Sequence, residues 1–378
     1  MANETPRYAG STFNGDGADD ESALASDEVE CYRYRPMPGE PLSIRTDDLR
    51  LQRDVWCRLS TYELDLKVRY LVGQGNVSAV REASAQIENI LQRHPSYAPA
   101  YVTLAECCRV EAVLDLAPPS EAVSKMRRAC RRALALDVES TEAHLAFAGV
   151  LAAEWNLPAA EAQYKLAIAS GARDAKAHQR YAVHLAALGR FVEAVDCADR
   201  ACDFAPHSPG GEYTRGVVQY WMRDYRRALE SADRAVEISA QFGMAHQLRG
   251  LAQLQLHEYG RAVEALARAT SISGGSTSDR GCEAYGLGRA GEIAAARAIL
   301  AELTASAERE HVGPLSIALC HLGLGELEAA LSWIERAYAP GSCQSPYLLA
   351  DPLYESLAGL DAFQRVLRRV VLPVPELA

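Results

Sequence analysis

The sequence predicts an all-α protein built as a linear array of helix pairs, and composition, amphipathic periodicity and an internal repeat carry that prediction. The 378-residue chain is rich in Ala and Leu, takes most of its charge from Arg and Glu, and is only 7% aromatic. That make-up suits helices packed closely through small side chains rather than a β-rich core. From roughly Asp47 onward, amphipathic stretches of about 12 to 16 residues alternate with short breaks such as HPSYAP, LDVEST, APHSPG and ISGGSTSD. Helices of that length are marginal alone in water, so each pair must stack on its neighbours.

The repeat emerges when one constant step is taken from each small residue to the next. One series runs Ala148, Ala182, Gly216, Gly250, Ala284, Ala318. Twelve residues later a second runs Ala160, Ala194, Ala228, Ala262, Ala296, Ala330, and a third follows at Ala167, Ala201, Ala235, Ala269, Leu303, Ala337. Between the last two sit Tyr164, Ala198, Ala232, Leu266, Leu300 and Ile334. Any single Ala is uninformative; interleaved series in fixed phase over six repeats are not. Two looser repeats precede them, one marked by Ala83, Ile87, Ile90 and Pro95, the other by Ala105, Met126, Cys130, Ala133 and Val138. In the latter an extra loop of about nine residues, AVLDLAPPS with Pro118 and Pro119, is expected between the two helices.

This pattern resembles the tetratricopeptide repeat, whose period and small-residue positions are the same. The resemblance implies a right-handed α-solenoid of about eight TPR-like helix-turn-helix repeats, closed by a C-terminal capping helix. The chain departs from the family where an aromatic is expected near the start of each first helix, which here carries His144, His178, Glu212, His246, Arg280 or Pro314. The turn proline is kept at Pro95 and Pro206 and is Val138, Ala172, Ala240, Gly274 or Glu308 elsewhere. The seventh repeat, with Gly281, Gly286, Gly288 and Gly291, is expected to be the least stable.

Three segments are expected. Residues 1–46 form an acidic, disordered tail: up to Arg50 there are eleven carboxylates against five Arg, and the GSTFNGDGADDES stretch cannot bury enough apolar surface to order itself. CYRYRP (Cys31 to Pro36) is the piece of it best suited to a docking motif. Residues 47–340 are the repeat array. Residues 341–378 are the cap and tail, with an amphipathic helix from about Asp361 to Val370. The closing sequence, with DP, a Leu and a following D-x-F, resembles the end of the repeat region in bacterial winged-helix regulators and related signalling proteins.

First helices line the groove in the tetratricopeptide family, so the resemblance places Lys176, Gln179, Val183, Tyr213, Val217, Tyr220, Trp221, Gln247, Leu251, Leu254 and Tyr285 on its wall. Tyr213, Tyr220 and Trp221 fall together on one helix, and aromatic anchors are enriched where proteins meet. Inter-repeat packing is the competing reading of the same residues. Lys176 and Arg180 alone hint at the basic clamp that family members use on a peptide carboxylate.

Other chemistries find little support. A net charge of −11 opposes a phosphate-tracking surface, and RRACRR (Arg127 to Arg132) lies on a helix whose other face carries the repeat. His144, His178 and His246 share a repeat position, but neighbouring helices stand about 8–10 Å apart, too far for one ion at about 2 Å. They read as packing or capping residues. The ten Cys contain no CxxC pair and read as reduced, mostly buried thiols. GLGRAG (Gly286 to Gly291) follows no strand, and its phase makes it a turn within a repeat. No catalytic constellation, cofactor or metal site is expected. Nor does any apolar run reach a membrane-spanning length of about 18 residues, so a soluble, cytoplasmic chain is expected. These observations predict a non-enzymatic scaffold that grips a partner protein or peptide. The alternative is the sensory or effector part of a bacterial transcriptional regulator whose DNA-binding domain is not in this chain.

Overall fold

The computed structural model describes residues 61–344 and 351–370. The chain divides into Met1–Asp54 and Val55–Ala378. The first unit lies outside the described residues, and with it the expected tail and its CYRYRP motif.

The described part of the second unit is helical apart from its turns. Its helices are α1 (61–73), α2 (Val77–Arg93), α3 (Ala98–Val113), α4 (Pro119–Leu136), α5 (Thr141–Ala153), α6 (Leu157–Ser170), α7 (Ala175–Ala187) and α8 (Phe191–Phe204). They continue as α9 (Pro209–Trp221), α10 (Tyr225–Ile238), α11 (Gly243–Gln255), α12 (Tyr259–Ser273), α13 (Thr277–Arg289), α14 (Ile293–Ser306), α15 (Pro314–Gly323) and α16 (Leu327–Ala337). A 3-10 helix, Pro352–Leu357, and α17, Asp361–Val370, complete the described chain. The architecture is therefore the expected one: stacked helix-turn-helix units, eight among the described residues, followed by a C-terminal helix. Among the described residues no helix is long and apolar enough to cross a membrane.

The small-residue series explains how the pairs nest. Ala148, Ala182, Ala284 and Ala318 of the first series are fully buried, as is every Ala of the second. A Cβ on Gly216 would stand 3.2 Å from the Ala228 carbonyl oxygen, and one on Gly250 would stand 3.0 Å from that of Ala262. The two helices of a repeat thus meet at residues twelve apart, where backbones approach too closely for a larger side chain. Ala228→Leu or Ala262→Leu should cost about 1–3 kcal/mol through overpacking. Both should lower the melting temperature, and unchanged thermal melts would contradict this account of the contact.

From α3 on, each first helix touches the first helix of the next repeat, whereas each second helix packs on the first helices flanking it. The first helices therefore form a continuous inner layer. Curvature brings distant repeats together on that layer: Arg180 of α7 reaches across α5 to pair with Glu106 of α3, and Arg69 of α1 pairs with Glu142 of α5 at 2.8 Å.

Two local expectations are revised. The insertion in the second repeat is not a nine-residue loop. Ala112 and Val113 extend α3 to 16 residues, against 13 in α5, α7, α9 and α11, residues 114–118 make the connection, and Pro119 and Ser120 open α4. Proline at the first position of a helix costs no hydrogen bond, which is why the pair of prolines starts a helix here. In GLGRAG, Gly286 to Arg289 is the last turn of α13, and only the remainder is a turn, with Gly291 in the left-handed region at φ 86°.

Candidate functional site

The histidines at the shared repeat position do one job. The Nε2 atoms of His144, His178 and His246 sit 2.9, 3.2 and 3.1 Å from the carbonyl oxygens of Val138, Ala172 and Ala240, each six residues upstream. In the second repeat, Tyr101 donates from its hydroxyl to the Pro95 carbonyl at 2.9 Å, again six residues away. The position thus satisfies a carbonyl in the turn that enters the first helix, and either ring reaches it. Among the described residues, no group of three or more His, Cys, Asp or Glu could share a metal ion. The described cysteines are free, and burial raises the thiols, to about 12 for Cys108, Cys130 and Cys320. Thiols held protonated in this way are poor nucleophiles.

The expected wall residues divide into two groups. Lys176 is exposed at the start of α7, and Gln179 and Val183, one and two turns on, are half-buried. Gln247 is spent on packing, donating to Asp279 at 3.1 Å and to the Cys282 sulfur at 3.3 Å on the next first helix. Tyr220, Leu251, Leu254 and Tyr285 are buried, at 2, 7, 4 and 3% exposure, with Tyr213, Val217 and Trp221 packed beside them. What buries this second group is partly the chain itself. Leu353, Tyr354 and Leu357 of the 3-10 helix belong to the same apolar cluster, as do Phe363, Val366 and Val370 of α17.

Asp351 anchors that segment. Its carboxylate accepts the Leu353 amide at 3.0 Å, capping the 3-10 helix, and accepts the Trp221 indole N–H. Tyr213 and Tyr220 of α9, Tyr225 of α10 and Cys282 and Tyr285 of α13 stand around it, each with its own ionisation opposed by the carboxylate's charge, and Arg223 is the nearby cation. The residue keeps partial solvent access, but its carboxyl is enclosed. Burial raises its pKa from the ordinary 3.8 to about 6, against the opposing pull of the Leu353 and Trp221 hydrogen bonds and of Arg223.

The sign of the pH effect follows from this shift. Well below pH 4 the carboxyl is neutral whether the chain is folded or not. As pH rises towards 6 the unfolded form ionises first, so stability present in acid is lost over that interval. Asp351→Asn keeps an acceptor oxygen and cannot ionise. Between pH 4 and 7 it should therefore gain on the wild type by about 1 kcal/mol, a figure discounted for partial exposure. Urea titrations of both proteins across that range check this. Parallel pH profiles would mean that the Asp351 carboxyl is not enclosed.

Two further enclosed carboxylates, Glu106 and Asp115, are also engaged by neighbouring side chains. Burial alone would raise Glu106, but the guanidiniums of Arg109, bonded at 2.9 and 3.0 Å, and of Arg180 outweigh it and hold the carboxyl well below the usual range. Asp115, in the α3–α4 connection, accepts the Ser316 hydroxyl at 2.5 Å and that of Thr277 at 3.3 Å. A Cβ on Gly313 would collide with its carboxylate. The second repeat is thereby tied to the seventh and eighth. Burial raises Asp115 despite these hydrogen bonds.

The order of residues does not single out Asp351, Leu353, Tyr354, Leu357, Asp115 or Trp155. The DP step and the apolar spacing after it mark a capped turn, but nothing in the sequence says which surface that turn covers.

Residues 213–277, spanning α9 to the start of α13, match a family model of the tetratricopeptide repeat. No curated protein matches the chain in sequence. Among solved structures the chain is similar to PilF of Pseudomonas aeruginosa, at 18% identity and a TM-score of 0.42, covering 63% of this chain and 99% of that one. It is also similar to YrrB, described as a TPR protein with an unusual peptide-binding site, at 17% identity and a TM-score of 0.33, covering 55% and 97%. A third similarity is to the APC/C hetero-tetramer Cut9–Hcn1, at 16% identity and a TM-score of 0.45, covering 81% of this chain and 48% of that one.

Proposed function

We propose that the chain is a non-catalytic scaffold whose first helices hold a segment of a partner protein. The observation that supports this reading is the stretch Asp351–Leu357, a short capped turn of polypeptide seated against Trp221 and the surrounding tyrosines. A wall that accepts a carboxylate, a proline and spaced apolar side chains from its own chain has the chemistry to accept them from another. The tetratricopeptide-like architecture supports the same reading, since stacked repeats create extended inner surfaces. The finer reading, the sensory part of a bacterial regulator, draws only on the likeness of that closing segment to the end of such proteins.

The test is site-resolved cross-linking in cells. A photoreactive amino acid at Gln179, on the inner layer, should capture a protein partner. One at Val192, 86% exposed in an outer cleft of about 630 Å³ that Lys165, Ile168 and Asp196 also line, should not. Capture from Val192 alone would move the partner to the outer surface and overturn the groove reading.

A further inference from the structure

The turn between the helices of a repeat contains one residue in the left-handed region, and it recurs once per repeat at the same phase. These are Gly75, Trp155, Gly189, Arg223, His257, Gly291 and Gly325, with φ between 61° and 86°, and Asp115 at φ 59° is its equivalent in the second repeat. Glycine fills four of these eight positions at no steric cost. The other four carry side chains in a conformation that disfavours them, so each side chain needs a reason to be there.

Three of the four reach towards the C-terminal part of the chain. The Trp155 indole N–H donates to the Gln344 carbonyl at 2.7 Å, and its ring stacks on Tyr338 with centroids 6.2 Å apart. The Arg223 guanidinium lies 4.0 Å from the Glu355 carboxylate, beside the enclosed Asp351. Asp115 holds the starts of α13 and α15, as described above. His257 instead bonds Tyr259, two residues away, at 2.9 Å.

We propose that residues 351–357 are a removable plug over the inner wall, latched directly by Arg223 at Glu355 and held upstream by Trp155 at Gln344, and that their departure opens the wall to a peptide of like chemistry: a carboxylate, then proline, then spaced apolar anchors. This rests on the groove reading above and adds its regulation. The segment is well suited to leave. The part that covers the wall, Pro352–Leu357, is a 3-10 helix of six residues ahead of α17, and the chain leaving α16 runs through Ala339, Pro340 and Gly341, with Gly341 at φ 82°. It meets the wall through the Asp351 carboxyl and the side chains of Leu353, Tyr354 and Leu357, whereas each inner repeat of the array is held from both sides. Glu355 and Ser356 are exposed while Leu353, Tyr354 and Leu357 are buried in the wall, an amphipathic division that a competing peptide can copy.

The shared turn position supplies the experiment. Glycine in the left-handed region carries no strain, so Trp155→Gly and Arg223→Gly remove the latch without a backbone penalty. His257→Gly, at the same repeat position, is the control. In the full-length proteins, amide hydrogen exchange of residues 351–357 should accelerate at least tenfold in the two latch variants, with α9, α11 and α13 as protected as in the wild type. The His257 variant should be unchanged. A fluorescein-labelled peptide of residues 351–360 (DPLYESLAGL) should bind the latch variants at least tenfold more tightly than the wild type. Unaltered exchange in both variants overturns the plug. Loss of protection in α9 and α11 along with the segment also overturns it, because the segment is then part of the core. Faster exchange without peptide binding leaves the segment detachable and overturns the ligand chemistry, and with it the groove reading.

Discussion

Gly288→Ala should destabilise the protein by about 3 kcal/mol, the upper end of what overpacking usually costs. A Cβ at this position would lie 2.4 Å from both the carbonyl carbon and the oxygen of Gly323, and a Cβ on Gly323 would lie 2.6 Å from the Tyr285 Cα. Two turns earlier in α13, a Cβ on Gly281 would meet the Ser316 oxygen at 2.6 Å. Helices α13 and α15 therefore rest backbone on backbone along most of their length. Neither neighbour can rotate aside, because the obstructing atoms are main chain. The methyl group must separate the two helices, and with them the contacts of Asp115 to Thr277 and Ser316. Gly260 provides the comparison: it lies in α12 and a Cβ there meets nothing within 4 Å. Gly260→Ala should be neutral or stabilising by up to about 1 kcal/mol. Urea denaturation of the two variants measures the difference, and similar midpoints would mean the helices are not in this contact.

The same glycines are legible in the sequence as composition and opaque as cause. Each glycine within a helix forfeits about 1 kcal/mol against alanine, which leads to the expectation of a weak seventh repeat. The structure shows what that cost obtains, an interhelical approach no other residue permits. Only the partner across the contact reveals this, and Gly323 belongs to the next repeat, with no marker in the order of residues that pairs it with Gly288. The array itself is legible because its information is local and repeated: a small residue, then another twelve on, then the same again. The wall is legible as a set of positions but not as a surface with an occupant. Tyr213, Tyr220 and Trp221 stand on one helix by periodicity alone, whereas the segment that covers them begins only at Asp351, beyond the last repeat. Contacts of that range leave no periodic trace, and Asp115 with Ser316 is a second example.

The two adjacent aromatics of α9 separate packing from binding, because the structure gives them different work. Tyr220 is 2% exposed, with the Tyr225 ring centroid 5.5 Å away, and lies in the apolar cluster that joins α11, α13 and the C-terminal segment. Truncating it to alanine leaves a cavity among residues whose backbones are fixed by the repeat, so Tyr220→Ala should cost about 3–5 kcal/mol. Trp221 is half-buried at the end of α9, and its indole N–H is committed to Asp351. Trp221→Ala removes one charge-assisted hydrogen bond and part of an apolar contact, a loss of about 1.5–3 kcal/mol that falls on the segment rather than on the array. The expected result is therefore a split. Tyr220→Ala shifts the urea midpoint of the helical signal strongly, while Trp221→Ala shifts it little and accelerates amide exchange at residues 351–357. If instead Trp221→Ala lowers helical stability as far as Tyr220→Ala does, both rings are core, and the inner wall has no detachable covering. If Tyr220→Ala leaves helicity and midpoint unchanged, its ring is not enclosed, and the wall is open in solution. Either result would be read from the purified protein alone, before any partner is known.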